Sequence, residues 1–281
     1  MAALKLFYAM AHRKNPANRT EDDWGNFGDE LSPLILSHVT NKSVEYADPR
    51  SCEVIAIGSL LDKFSLNRVS QILQYQRWLP APLQVWGSGF MLPETRMKRG
   101  GLNVHAVRGP LSQKQLPTQF RTTQIPFGDP GIFANELLDK TPSKQWSVGI
   151  LPHYVDREDP LLKKLLTENP SFHTINIWAH PLKVLAEIAS CEVLFSSSLH
   201  GLIAADSLGV PNRWLQLSNK VGGEDFKFRD YCAGVGKEAH QPLTLEQDPI
   251  TPNIIQETGA NFQPLDLDEV KKGLRSAASG L

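Results

Sequence analysis

The sequence predicts an α/β protein built from βαβ units around parallel sheets, and three observations carry that reading. Short apolar runs of strand length alternate with longer segments of helical periodicity. The length of 281 residues and a hydrophobic fraction of 41% supply material for about two domains, each with its own buried core. A polar stretch rich in turn formers, Asp139-Lys140-Thr141-Pro142-Ser143-Lys144, follows Gly128-Asp129-Pro130-Gly131 and divides the strand candidates into two sets. The boundary placed there gives domains of residues 1–135 and 136–281.

In chain order, the first set of strands is Leu4–Ala9, Val44–Tyr46, Val54–Ile57, Leu83–Trp86 and Val104–Val107. The second is Val148–Leu151, Thr174–Ile177, Val193–Ser196 and Arg213–Leu217. Ser32-Pro33 offers an N-cap followed by proline at a first helical position, and Leu34, Ile35 and Val39 follow at helical spacing. Pro181–Ala189 reads as a helix with Leu182, Leu185, Ala186 and Ala189 on one face. Leu265–Leu274 is a helix whose acidic start and basic end suit the dipole, and it is placed to pack back on the first domain. The Pro-rich tract from Gln241 to Pro264 reads as an extended surface connection.

Composition excludes several partners and chemistries. Twenty-nine basic against thirty acidic side chains leave a net charge of −1, so no global field holds a polyanion, and nucleic acid is not an expected partner. The basic stretch Lys98-Arg99-Gly100-Gly101 lacks interleaved aromatics and reads as a solvated loop. Cys52, Cys191 and Cys232, odd in number and widely spaced, read as reduced core thiols. The start, Met1-Ala2-Ala3-Leu4-Lys5, has no signal-peptide core, and no apolar run approaches the roughly 20 residues that span a bilayer. A cytoplasmic protein is expected, with peripheral contact with a membrane left open. No metal-binding spacing, Gly-x-Ser-x-Gly elbow, Walker loop or dinucleotide fingerprint occurs, so no metal or cofactor is expected.

Ligands of parallel sheets bind beyond the carboxyl ends of the strands. Three endings in the first half, Gly58-Ser59, Gly87-Ser88-Gly89 and Arg108-Gly109-Pro110, fit either a crevice or ordinary turns. Ser196-Ser197-Ser198-Leu199-His200-Gly201 reads as a strand end, a serine turn and a helix start, where N–H groups and the dipole suit a phosphate or carboxylate. His200 in that first turn can donate a proton to such an anion, or it is a surface histidine on a capped helix. In Asn26-Phe27-Gly28-Asp29, Asp29 is either a base for a hydroxyl or a capping residue. Lys227-Phe228-Arg229-Asp230-Tyr231, behind Val221-Gly222-Gly223-Glu224-Asp225, is either a charged lid or a solvated loop.

Taken together, Asn26-Phe27-Gly28-Asp29, Gly58-Ser59-Leu60, Trp86-Gly87-Ser88-Gly89, Arg108-Gly109-Pro110, Gly128-Asp129-Pro130 and Ser198-Leu199-His200-Gly201 resemble, in this order, the polysaccharide pyruvyl transferase family. The resemblance implies two Rossmann-like domains with parallel sheets facing a central cleft, as in GT-B glycosyltransferases, with the acceptor side in the first domain and the donor side in the second. It implies phosphoenolpyruvate as co-substrate and, as acceptor, an oligosaccharide, lipid-linked at the cytosolic face of the inner membrane. By resemblance, Asp29, Arg108 and His200 are the catalytic residues. Arg108, Ser197, Ser198, Leu199, His200 and Gly201 are the donor site, and Asn26, Ser59, Ser88, Lys227 and Arg229 are further candidates for substrate contact.

The family pattern often has arginine before the Leu-His pair, where this chain has Ser198. Arg213, Arg229 or Lys227 would then supply the cation, or Ser198 would bind phosphate through its hydroxyl and backbone. Two other readings stay open. One is a GT-B glycosyltransferase using a nucleotide sugar; the other is a non-catalytic glycan-binding relative.

Overall fold

The apolar runs become two five-stranded parallel sheets in a computed structural model that describes residues 3–9, 20–75, 81–97, 100–223, 225–245, 247 and 249–281. Lys98-Arg99, Glu224 and the opening Met1-Ala2 lie outside the described residues. In the first sheet, β1 (Leu4–Phe7), β2 (Val44–Tyr46), β3 (Val54–Ile55), β4 (Leu83–Trp86) and β5 (Leu102–Ala106) lie in the order β2-β1-β3-β4-β5. In the second, β6 (Trp146–Leu151), β7 (His173–Thr174), β8 (Cys191–Ser196), β9 (Asn212–Gln216) and β10 (Leu243–Thr244) lie in the order β10-β9-β8-β6-β7. Counted from its own first strand, each sheet therefore runs 2-1-3-4-5. The order reverses between β1 and β3 in one and between β6 and β8 in the other, and a crevice opens beyond the strand ends at such a reversal.

The fully buried residues Leu6, Phe27, Trp86, Ile132, Leu151 and Ile203 belong to one apolar cluster that runs through both halves of the chain. A 3-10 helix, Pro130–Leu137, packs between the Phe27–Thr40 and Leu199–Ser207 helices. The C-terminal helix Asp268–Ala278 lies on the first sheet, where Trp86 Nε1 donates to the Leu274 carbonyl at 2.9 Å. Cys52 and Cys191 are buried and all three cysteines are free thiols. Among the described residues no helix is long and apolar enough to cross a membrane.

Several elements differ from expectation. The first helix starts at Phe27 rather than at Ser32-Pro33, so Pro33 lies inside it and removes the bond to the Asp29 carbonyl. Tertiary contacts set the earlier start: the N–H groups of Trp24 and Phe27 donate to Trp178 O and Ile177 O at 2.5 and 3.0 Å. Ser32 caps nothing there; its hydroxyl accepts from Ile57 N at 3.3 Å. The tract from Gln241 to Pro264 is structured, containing edge strand β10 and a helix, Pro252–Ala260, capped by Thr251 Oγ1 accepting from Ile254 N. The last helix starts at Asp268, three residues later than expected, with Asp266 accepting from Asp268 N.

Candidate active site

The reversal point of the first sheet places the Phe27–Thr40 helix after β1 and the turn Gly58-Ser59 after β3. Asp29, in the first turn of that helix, is 9% exposed, and its Oδ2 accepts from Asn26 Nδ2 at 2.7 Å. Burial raises the Asp29 carboxyl to about 6, against the lowering effects of the Asn26 bond and of His200. A carboxylate so poised is a usable base near neutral pH.

In the second sheet, the reversal point brings together the end of β6, Pro152-His153, and the end of β8, Ser197-Ser198. Ser196 Oγ donates to Leu151 O at 2.8 Å and accepts from Ser198 N at 3.0 Å, fixing the turn. Ser197 Oγ donates to Asp156 Oδ2 at 2.7 Å and accepts from His153 N at 2.8 Å. Asp156 also accepts from Ser218 Oγ at 2.5 Å, so one buried carboxylate ties the loops after β6, β8 and β9. Ser198 is the N-cap of the Leu199–Ser207 helix, yet its hydroxyl makes no capping bond. Leu199 is buried, and Gly201 sits so close to Ser196 that a Cβ there would lie 2.5 Å from its hydroxyl.

His200 joins the two halves. Its imidazole lies against Gly28, where any Cβ would run into Nδ1, so glycine is required at that point. The two reversal points therefore meet at the Asn26–Asp29 turn and the start of the Leu199–Ser207 helix. His153 stands beside them, pushed down to about 3 by burial and by the charges of Lys227 and His200, so it is neutral at physiological pH.

Two buried cations reach this region. Lys227, 6% exposed, lies on the Phe226–Gly234 helix; none of the hydrogen bonds or ion pairs described engages its ammonium. Burial pushes it down to about 8, assisted by Arg108 and opposed by Asp156 and Asp29. This stretch is thus a packed helix, neither lid nor solvated loop; burial of Phe226, Phe228 and Tyr231 holds it. Arg108, expected to meet anionic groups of a donor, is wholly buried instead. Its Nε donates to Asp230 Oδ2 at 3.0 Å, Nη1 to Ser59 Oγ at 2.7 Å and Nη2 to the Phe90 carbonyl at 2.5 Å. Asp230 accepts in addition from the Ser112 amide and hydroxyl. The contact is closed by glycines: a Cβ on Gly109 would collide with the Asp230 carbonyl, and one on Gly234 with that of Arg108.

The remaining expected residues fall outside this group. Ser88 is buried and donates to the Gly58 carbonyl at 2.8 Å, holding two strand ends together. Arg229 is exposed and paired with Asp225 on its own helix. Sequence reasoning missed His153, Asp156 and the contact made by Asp129. The strand-end rule, applied to β6, points directly at His153.

A cavity of about 490 Å³ adjoins Ser197 and is lined by Trp214, Gln216, Ser218, Asn219, Phe228 and Gln241 among others. It has aromatic and amide walls with one carboxylate, Asp225, and no lysine or arginine, and its size suits a small ligand. A larger depression, about 1110 Å³ around Asp62, Arg68 and Arg96, shares no residue with the histidines or Lys227. Among the described residues no three His, Cys, Asp or Glu side chains are grouped to hold a metal ion.

Known proteins place the chain. An uncharacterized protein of Acanthamoeba polyphaga mimivirus is 34% identical over 194 residues, covering 66% of this chain and 65% of that protein. The succinoglycan biosynthesis protein ExoV of Rhizobium meliloti is 23% identical over 220 residues, covering 77% of this chain and 63% of that protein. The chain thus spans a little under two thirds of the length of these relatives. The family model described as polysaccharide pyruvyl transferase matches residues 26–219, from the asparagine that holds Asp29 to the loop after β9, and the chain belongs to that family.

Proposed function

We propose that the chain transfers the pyruvyl group of phosphoenolpyruvate to two hydroxyls of a sugar in an exopolysaccharide precursor, releasing phosphate. One observation carries the reading: the buried Lys227 ammonium, held by no hydrogen bond or ion pair described here, stands with His153 and His200 beside a helix N-terminus whose cap serine is unused. A buried ammonium that has the Phe228 ring beside it, 5.4 Å to the centroid, and no hydrogen-bonded carboxylate favours an anion at that place. Phosphoenolpyruvate carries both a carboxylate and a phosphate.

In this scheme Asp29 takes the proton of one sugar hydroxyl, which adds to the central carbon while His200 gives a proton to the methylene. The second hydroxyl displaces phosphate from the same carbon, and its proton leaves with the phosphate. Phosphoenolpyruvate and a diol thus become a ketal and inorganic phosphate. Lys227 takes the place left open by Ser198 as the donor-binding cation. Arg108 acts from behind, holding the lysine's helix in place and adding to the positive potential. The cavity beside Ser197 has the aromatic and amide surface that sugar rings favour, and the Asp225 carboxylate on its wall can accept from a sugar hydroxyl. A lipid carrier would present the acceptor at the cytosolic membrane face, which requires of this chain peripheral contact only.

Phosphate release should require both phosphoenolpyruvate and a glycan acceptor. Absence of phosphoenolpyruvate binding by calorimetry, with thermal stabilisation by a sugar nucleotide instead, would replace this reading by that of a glycosyltransferase.

A further inference from the structure

Asp129 begins the Pro130–Leu137 3-10 helix, with Oδ1 accepting from Gly131 N at 2.9 Å. Its other oxygen, Oδ2, is buried without a hydrogen-bond partner, and so is Nε2 of His200. These two atoms face each other at 3.6 Å. Buried polar groups seldom stay unpaired, and two complementary ones this close need a shift of only a few tenths of an ångström to bond. The surroundings fix the approach: a Cβ on Gly131 would lie 2.8 Å from Ile203 Cγ2, so the carboxylate's turn rests on the helix that carries His200. On its other side the ring abuts Gly28 at Nδ1.

We propose that Asp129 is a positioning residue for His200: its free oxygen accepts Nε2–H and sets the tautomer with Nδ1 toward Asp29 and the cleft. The role in turnover rests on the pyruvyl transfer reading, but the pairing does not. A carboxylate behind an imidazole fixes which nitrogen is protonated and stabilises the imidazolium. Asp29 and His153 lie in the field of His200, and Tyr231 lies in that of Asp129.

Asp129→Asn in the full chain keeps the cap, since asparagine also accepts from Gly131 N, and removes the charge. Nitrogen-15 spectra of labelled histidine should show His200 protonated at Nε2 in the wild type, with that hydrogen-bonded proton signal lost or moved in the variant. Turnover should fall on the order of 100-fold with the KM for phosphoenolpyruvate unchanged. An unchanged His200 spectrum, or a KM effect with turnover retained, overturns the proposal. If the variant fails to fold, the wild-type spectrum decides alone: His200 neutral with its proton on Nδ1 overturns the pairing. A protein that shows the pairing by spectroscopy but no pyruvyl transfer refutes the function and leaves the pairing standing.

Discussion

Arg108 and Lys227 are buried cations contributed by opposite halves of the chain, and they are held in opposite ways. Arg108 has a carboxylate, a hydroxyl and a carbonyl in place, so the desolvation of its charge is compensated within the protein. Lys227 has no such set, and its burial shows as a lowered affinity for the proton. A buried charge saturated by hydrogen bonds serves the fold, whereas one with only the Phe228 ring and more distant carboxylates near it leaves its donors open to a ligand. The same contrast separates Asp230, saturated by Arg108 and Ser112, from Asp29, whose carboxyl is held up at about 6.

The largest effect should come from breaking the compensated pair. Arg108→Ala leaves Asp230 buried without its cation and should cost about 3–5 kcal/mol in urea unfolding, with Asp230→Asn recovering part of it. A variant of native stability that had lost only donor binding would erase the contrast drawn above.

Asp29→Asn should lower turnover by on the order of 100-fold or more while making the protein more stable at neutral pH. Because folding raises this carboxyl from 3.8 to about 6, its favourable contribution is full below pH 3.8 and is lost as pH rises through about 6. Ionised Asp29 therefore costs at most about 3 kcal/mol, which asparagine does not incur. Thermal melts should show the variant ahead at neutral pH, with the gap closing toward pH 3.8.

Lys227→Met should weaken phosphoenolpyruvate binding roughly 10- to 100-fold, the loss of one or two charge-assisted hydrogen bonds, without loss of stability. Wild-type stability at a lowered lysine behaves conversely, rising between about pH 8 and 10.5 as the unfolded chain holds the proton longer.

The smallest effect is a fraction of a proton. An anion that restores the ammonium makes donor binding take up protons above about pH 8, measurable by calorimetry in buffers of different ionisation heat and absent in Lys227→Met.

What the sequence made legible follows from how local the determining physics is. The Pro181–Ala189 helix matches its expected bounds because proline at the start and apolar spacing are properties of those residues alone. Strands β2 and β4 match for the same reason. The first helix starts before its local Ser-Pro signal because its start is set by carbonyls about 150 residues away, at Trp178 and Ile177. Thr251-Pro252 carried the same local signal and is a real start, masked by the prolines around it. In the site, the Asn26–Asp29 and Ser197–Gly201 segments could be singled out, since turn residues at strand ends mark crevices. Arg108 could be identified as important but not as saturated, because Asp230 lies far off in the chain. His153 follows a proline rather than a glycine, and nothing in its immediate neighbours announces the burial that, with the Lys227 ammonium, holds it neutral.

The glycine contacts at Gly109 and Gly234 carry a mechanical consequence. They press the backbone of the Phe226–Gly234 helix directly onto the end of the first sheet, although the chain has by then passed through most of the second. Arg108 and Ser112 bolt it there through Asp230. The same helix is tied to the second half as well, Tyr231 Oη donating to Asp206 Oδ2 at 2.9 Å and the Phe228 ring stacking on Trp214, so it clasps the two sheets together. Lys227 thus stands on the clasp between the halves, and a change that loosens either attachment moves the ammonium with it.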